Sequence, residues 1–127
     1  MFLSQKERKR LGGSCFVELQ YCRLPVGTPV KKIVSAGAVE HWKDDSLYVH
    51  DEDQNDFFEA YSRVLADGLH NDLQTGTVDL WGINYYPPEL TDGLIGRLLS
   101  EKPTGYERLV DWLGKAGSCN GFYILGV

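Results

Sequence analysis

The chain has 127 residues, of which 43% are apolar and 24% charged, and its formal net charge is −5. This length and composition are typical of a single domain with an ordinary hydrophobic core. The acidic balance excludes a general nucleic-acid binder, because such a protein needs cations clustered along one face.

Neither a signal peptide nor a run of about eighteen apolar residues is evident, so we expect a cytoplasmic protein without a membrane partner. The three cysteines, Cys15, Cys22 and Cys119, lack the Cys-x-x-Cys spacing of a metal or redox site. We therefore expect reduced thiols rather than disulfides, and neither a cofactor nor a metal.

A basic cluster precedes two glycines near the start of the chain. Such a pattern predicts a loose basic N-terminal arm over residues 1–13, followed by a single α+β domain over residues 14–127. The cluster consists of Lys6, Arg8, Lys9 and Arg10.

Three strands are predicted in the first half of the domain. Residues 14–24 alternate apolar and polar side chains with the period of two that a strand requires. A turn rich in proline and glycine over residues 25–29 leads to a second strand at 31–42, and residues 47–50 form a short third strand. Short connections between successive strands favour an antiparallel meander.

An amphipathic helix is predicted over residues 55–68, which carry an apolar stripe at helical spacing. Asn55 is its expected N-cap, and Gly68 is expected to end it. A second helix is predicted to begin at Pro87-Pro88, because proline suits a first helical turn.

A third helix is predicted from the capping-box pair Thr104 and Glu107 as far as Gly117. In the second helix, Gly93 and Gly96 lower the helix propensity, so we expect them to permit close packing against a neighbour.

The stretch Thr77–Pro88 is predicted to be the central strand. Apolar side chains occur on both of its faces, so we expect an interior strand in which Val78 to Ile83 specifies the fold. Pairing must end at the prolines, so the last five residues, 84–88, are predicted to contact another molecule. Residues 121–127 are predicted to form a further interior strand.

The predicted order of elements is β-β-β-α-β-α-α-β. Strands that come first and helices that are inserted later indicate an α+β fold. We expect a mainly antiparallel or mixed sheet of about five strands, with three helices packed on it.

An acidic region occupies residues 40–59. It resembles the opening of a calcium loop from Asp51 onward, but the glycine and glutamate needed at the sixth and twelfth positions are replaced by Asp56 and Ser62. The region is either a solvated turn with a helix N-terminus or an acidic surface for a basic partner. Its acidic residues are Glu40, Asp44, Asp45, Asp51, Glu52, Asp53, Asp56 and Glu59.

Aromatic side chains form the second candidate site. Core packing, a protein interface and a ligand pocket are all compatible with Trp and Tyr residues near a strand end. With the acidic region, they define the candidate binding residues His41, Trp42, Tyr48, His50, Asp51, Asp53, Trp81, Tyr85 and Tyr86.

No catalytic residue is predicted. The three histidines, His41, His50 and His70, lack metal-ligand spacing, and no nucleophile-elbow or phosphate-loop motif occurs. His41 or His50 with Asp51 would make an acid–base pair only if the fold brought them together. Cys119, in a turn-like sequence, is more typical of a structural thiol than of a nucleophile.

These patterns favour a small acidic, bacterial-type protein that binds another protein without turnover, as inhibitor, immunity or accessory proteins do. The expected partner is a protein, and a basic one would complement the acidic region. The alternative is a small-molecule-binding protein or a simple hydrolase with a pocket between sheet and helices. A homodimer is compatible with either hypothesis.

Overall fold

An antiparallel sheet of seven strands runs through the part of the chain that this computed structural model describes, residues 1–116 and 118–127. The strands are β1 (Phe2–Leu3), β2 (Phe16–Tyr21), β3 (Leu47–His50), β4 (Gly68–His70), β5 (Thr75–Gly76), β6 (Ile83–Tyr86) and β7 (Phe122–Leu125). Their spatial order is β1-β3-β2-β7-β6-β4-β5, and all neighbours are antiparallel.

Four helices accompany the sheet in the described residues, with one further single helical turn. The helices are α1 (Gln5–Leu11), α2 (Val30–Ile33, the single turn), α3 (Gln54–Tyr61), α4 (Thr91–Glu101) and α5 (Tyr106–Gly114). The predicted α+β class is confirmed, with more strands than expected. No helix among them has both the length and the apolar character needed to cross a bilayer.

The main core lies between one face of the sheet and helices α3, α4 and α5. Alternation along β2 directs Val17, Leu19 and Tyr21 to this face. Burying one such apolar side chain contributes about 1.5–3 kcal/mol. The helices supply Phe57, Tyr61, Leu94, Leu98, Leu109, Trp112 and Leu113.

The opposite face of the sheet is covered by residues 24–46, here called the covering segment. Ile33 and Val34 of this segment pack against Cys22, Tyr85 and Tyr123. The hydroxyl of Tyr123 donates a hydrogen bond to the carbonyl of Ile33 at 2.7 Å. Because both faces of the sheet are covered, polar side chains that alternate with the main core are also buried.

The segment expected to be a loose arm instead forms β1 and α1. Phe2 is buried and pairs with Val49 of β3, and its ring meets Phe57 edge-on. Ser4 and Glu7 form a reciprocal capping box that starts α1. This capping box is easily overlooked in the sequence because it consists of only two residues and stands beside four basic side chains, which suggest a loose arm.

The second predicted strand, 31–42, is absent. Residues Val30–Ile33 form the helical turn α2, and Ala36–Ala38 form a 3-10 turn. Pro29 precedes α2 with φ −58°, an angle suited to helix entry. The apolar side chains that suggested a strand are instead the residues that anchor the covering segment to the sheet.

The predicted central strand pairs only over Ile83–Tyr86, between β7 and β4. The preceding residues turn, because the side chain of Asn84 accepts from the N–H of Asp79 and donates to its carbonyl, both at 2.8 Å. The prediction that Val78 to Ile83 is the strand that specifies the fold is therefore wrong. The prediction of an interior strand holds for β6, and for β7 in the segment 121–127.

Helix boundaries also differ from the predictions. The helix predicted over 55–68 ends at Tyr61, and Gly68 begins β4. The prolines at 87 and 88 lead into a 3-10 turn before α4. Gly105, with φ 78°, replaces Thr104 as the N-cap of α5. The predicted last residue of the third helix, Gly117, lies outside the described residues.

The expectation that Gly93 and Gly96 allow a neighbour to pack closely is wrong. A Cβ atom at either position would meet nothing within 4 Å, so no neighbour packs closely there. The close backbone approach occurs elsewhere. A Cβ atom on Gly126 would lie 2.3 Å from the carbonyl oxygen of Leu80.

Candidate functional site

Strand register assembles a group of aromatic side chains on the covered face of the sheet. Phe16 of β2 lies opposite His50 of β3, and Glu18 lies opposite Tyr48. Trp42 of the covering segment packs beside them. We call Phe16, Trp42 and Tyr48 the aromatic site.

Glu18 is the buried polar centre beneath this site, with 1% of its surface exposed. Its Oε1 accepts from the N–H of Trp42 at 2.8 Å, and its Oε2 accepts from the N–H of Lys43 at 3.1 Å. Ser46 Oγ and Gln20 Nε2 donate to Oε2 at 2.7 and 3.0 Å. A carboxylate supplied with this many donors ties the covering segment to β2.

Trp42 adopts a left-handed backbone conformation, with φ 69°. Such a conformation costs a non-glycine residue about 1–2 kcal/mol. The bond to Glu18 offsets this cost, as does the bond from Gln5 Nε2 to the Trp42 carbonyl at 2.9 Å. These two hydrogen bonds fix the backbone of Trp42, and with it the position of the indole ring.

The three aromatic rings are packed against one another. The rings of Trp42 and Tyr48 are nearly parallel, 17° apart in orientation, with centroids 5.9 Å apart. Phe16 stands edge-on to both, at 86° and 84°. Trp42 is 38% exposed, whereas the other two rings are buried.

Arg8 of α1 places its guanidinium group over these rings. Its Cζ atom lies 4.3 Å from the ring centroid of Trp42, 5.3 Å from that of Tyr48 and 5.8 Å from that of Phe16. Its Nε donates to Gln5 Oε1 at 2.6 Å. Within the described residues it forms no ion pair with a carboxylate. The rings and one amide thus hold this cation.

Tyr48 contributes a fixed wall. Its hydroxyl donates to the Lys43 carbonyl at 2.6 Å. Burial raises the pKa of Tyr48 above its usual range, and the nearby Glu18 carboxylate raises it further. The phenol therefore stays neutral and keeps its hydrogen bond at physiological pH.

His41 lies at the edge of the aromatic site. Its Nδ1 is 3.5 Å from Glu18 Oε1, and its side chain is half-exposed. His41 also lines a shallow cavity of about 200 Å³, together with Trp81, Ile83 and other residues. Trp81 is 76% exposed. His41 thus connects the aromatic site to a second exposed indole.

An exposed acidic segment begins where β3 ends. The ring of His50 packs on Phe16 at 5.2 Å, and its Nδ1 accepts from the N–H of Glu52. Phe58 of α3, within this stretch of sequence, is 39% exposed. In the described part of the chain the carboxylates of this segment form no ion pair. The acidic segment comprises Asp51, Glu52, Asp53, Asp56 and Glu59.

The structure links most of the candidate binding residues through neighbouring contacts. Tyr85 and Tyr86 are the exceptions: they pack elsewhere in the fold and are 2% and 0% exposed, while Tyr48 within the linked set is also 0% exposed. Tyr86 stacks on Phe122 in the main core, and Tyr85 donates to the Asn120 carbonyl on the covered face. The prediction that residues 84–88 reach a partner is therefore wrong for these rings. The residues brought together are His41, Trp42, Tyr48, His50, Asp51 and Asp53, with Trp81 reached through His41.

Three contributors to the site escaped the sequence analysis. Arg8 lay in the segment expected to be loose, although the capping box of Ser4 and Glu7 is a local signal for a helix there. Phe16 and Glu18 lay on the more polar face of an alternating strand. The sequence around these residues does not indicate that this face is buried, because the covering segment that packs on it comes later in the chain.

A cavity of about 560 Å³ lies between the sheet and α5. Tyr21 and Trp112 stack in its wall with centroids 4.1 Å apart. Its cations already have partners: Arg23 pairs with Asp45, and Lys115 pairs with Asp111. The half-buried Cys119 also lines it.

The described residues contain no group of three or more His, Cys, Asp or Glu side chains arranged to hold a metal ion. Comparison with protein-family models, curated proteins and solved structures finds no match to this chain.

Proposed function

We propose that this chain is a non-enzymatic protein-binding module, of the inhibitor, immunity or accessory type, whose partner presents a basic surface. The observation that carries this proposal is the acidic segment, whose carboxylates have no cationic partner among the described residues. The same stretch of sequence contains the exposed ring of Phe58, and it adjoins the aromatic site through His50.

Uncompensated charges of one sign steer an oppositely charged partner and increase its association rate. Some other carboxylates are paired: Glu101 of α4 with Arg63, and Asp67 with Arg97 of α4, both at 3.3 Å. An aromatic side chain within a polar rim is the arrangement in which interface hot spots occur. Phe58 and Trp42 supply such side chains here.

The test removes the charge of the acidic segment without changing the size of its side chains. The variant carries Asp51→Asn, Glu52→Gln, Asp56→Asn and Glu59→Gln. A matched control neutralises four exposed carboxylates elsewhere, with Asp72→Asn, Glu89→Gln, Asp92→Asn and Glu107→Gln. Each tagged protein is used to capture partners from the cells that produce it, and the captured protein is then purified and titrated by calorimetry.

We expect the captured partner to be basic, and its affinity to fall about tenfold or more in the acidic-segment variant, since four rim charges each contribute a few tenths of a kcal/mol. The control should bind like the wild type. Equal affinity of the two variants for the partner would reject the proposed surface. Binding that does not weaken as salt rises would reject a basic partner.

The cavity beside α5 favours a second candidate, a small-molecule-binding protein or a simple hydrolase. Its volume of about 560 Å³ is in the range of ligand sites, and Tyr21 and Trp112 offer a flat wall. A thermal-shift screen of metabolites tests it, with Lys115→Ala altering the cavity and Lys6→Ala as an exposed control. A hit that Lys115→Ala abolishes and the control retains would support it. The absence of any such hit would reject this second candidate function.

A further inference from the structure

We propose that the aromatic site is a receptor for one arginine side chain of the partner, and that Arg8 occupies this receptor until the partner's arginine exchanges with it. The inference rests on the proposed protein-binding function and specifies the chemical group that this part of the surface recognises.

The site is shaped for a planar cation. A guanidinium lies within about 6 Å of three ring centroids, the range in which a cation is attracted to an aromatic face. The nearly parallel rings of Trp42 and Tyr48 offer flat surfaces, and guanidinium is both planar and weakly hydrated. The buried carboxylate of Glu18, 3.4 Å from the Tyr48 hydroxyl, adds negative potential beneath the rings.

The walls of the site are held mainly by contacts that Arg8 does not make. Glu18 accepts from the N–H of Trp42, and the carbonyl of Lys43 accepts from the Tyr48 hydroxyl; only the bond from Gln5 to the Trp42 carbonyl involves a side chain that Arg8 contacts. Phe16 projects from a paired strand. If the Arg8 side chain moves out of the site, the rings therefore keep their positions. Binding of another arginine then requires little further ordering of the receptor.

The hold on Arg8 is weak enough for exchange. Arg8 makes one side-chain hydrogen bond, to Gln5, and no ion pair in the described residues. An open cavity of about 490 Å³ adjoins the site and is lined by Arg8, Lys9 and Trp42, among others. A side chain from solvent can thus approach the indole ring along the surface.

The experiment uses small probes, so it needs no partner. N-acetyl-L-arginine amide is titrated into wild-type protein, Arg8→Ala and Lys6→Ala, and the indole N–H signals of Trp42, Trp81 and Trp112 are followed by NMR. N-acetyl-L-citrulline amide is the neutral control, because it keeps the shape of arginine without the charge. Lys6→Ala removes an exposed cation of α1 that lines neither the rings nor the adjoining cavity.

We expect a saturable shift of the Trp42 signal in Arg8→Ala at probe concentrations up to about 300 mM, since a desolvated cation–aromatic contact corresponds to a Kd of roughly 30 mM. Wild type and Lys6→Ala should bind about tenfold more weakly, because Arg8 competes. The citrulline probe should cause no saturable shift. The Trp112 signal should stay in place and reports that each variant is folded.

Three results would overturn the inference: no saturable Trp42 shift in folded Arg8→Ala, equal binding of the citrulline probe, or equal binding by wild type and Arg8→Ala. If Arg8→Ala unfolds, Arg8→Met takes its place, because methionine keeps an aliphatic stem. Failure here leaves the acidic-segment test unaffected, since that test does not use the aromatic site. Failure of the acidic-segment test likewise leaves the probe titration valid.

Discussion

The backbone N–H of Trp42 donates a hydrogen bond to Oε1 of Glu18 at 2.8 Å. This bond joins the covering segment to β2 and holds Trp42 in its left-handed conformation. One buried carboxylate therefore determines both how the second face of the sheet is closed and where the outer ring of the aromatic site stands.

Glu18→Gln should destabilise the protein by about 2–4 kcal/mol. The amide replaces one acceptor oxygen with an NH2 group, so a buried backbone N–H that Glu18 now accepts from would face another donor. Urea unfolding measures the change. Glu40→Gln is the matched control: the Glu40 side chain is 86% exposed, so its loss should change stability by less than about 0.5 kcal/mol. Equal unfolding midpoints for the two variants would contradict the role assigned to Glu18.

Gly126→Ala should be strongly destabilising, by about 3 kcal/mol or more, because its Cβ would lie 2.3 Å from the Leu80 carbonyl oxygen and the backbone must shift. Gly93→Ala is the opposite case. It lies in α4 with open space around it, so alanine should stabilise the protein by about 0.5–1 kcal/mol. Thermal unfolding of both variants checks the sign of each change, and a stabilising Gly126→Ala would contradict the close approach seen here.

Local sequence patterns were sufficient for much of the fold. The alternation over residues 14–24 predicts β2, and the apolar stripe that includes Phe57 and Tyr61 predicts α3, because each reflects one buried face. The covering segment was misassigned for a physical reason. Its apolar residues Ile33 and Val34 are buried on a turn rather than on a strand, and short apolar runs do not distinguish the two.

The candidate site was harder to predict because its members come from distant parts of the chain. His41, Trp42, Tyr48 and His50 are identified by residue type; strand register places Tyr48 and His50, and the bond from the Trp42 N–H to Glu18 brings His41 and Trp42 beside them. Glu18 resembled a solvent-facing residue of a strand, since its burial depends on the covering segment. Tyr85 and Tyr86 illustrate the reverse error, because β6 has neighbours on both sides and cover on both faces.

Protonation of Glu7 should weaken the attachment of α1. The hydrogen bond from Arg108, and that from the Ser4 backbone, lower the pKa of Glu7 from 4.5 to about 2. A carboxyl whose pKa is lower in the folded state stabilises that state above its unfolded pKa, and this contribution is lost as pH falls. Wild type should therefore lose stability between about pH 5 and pH 2 more than Glu7→Gln does.

Melting temperatures across this pH range provide the measurement for Glu7. The difference should be small, because the pair with Arg108 is partly exposed and solvent screens it. Glu89→Gln, an exposed carboxyl without an ion pair in the described residues, should follow the wild-type curve. Parallel curves for Glu7→Gln and wild type would mean that the charge of Glu7 and its ion pair with Arg108 add nothing to stability.

Tyr86 and Trp81 come from the same stretch of sequence but should respond to substitution in opposite ways. Tyr86→Phe removes the hydrogen bond from its hydroxyl to the Leu65 carbonyl at 2.9 Å and leaves that buried acceptor unpaired. We expect a loss of about 1–2 kcal/mol in urea unfolding and no change in partner affinity. Trp81→Ala, at a ring 76% exposed, should change stability by less than about 0.5 kcal/mol.

For Trp81→Ala the informative measurement is affinity for the partner identified by capture. If the interface extends from the aromatic site through His41, this variant should bind several-fold more weakly, because an exposed indole loses contact area when truncated. Unchanged affinity would confine the interface to the aromatic site and the acidic segment. A loss of affinity in Tyr86→Phe without a loss of stability would contradict the assignment of Tyr86 to the core.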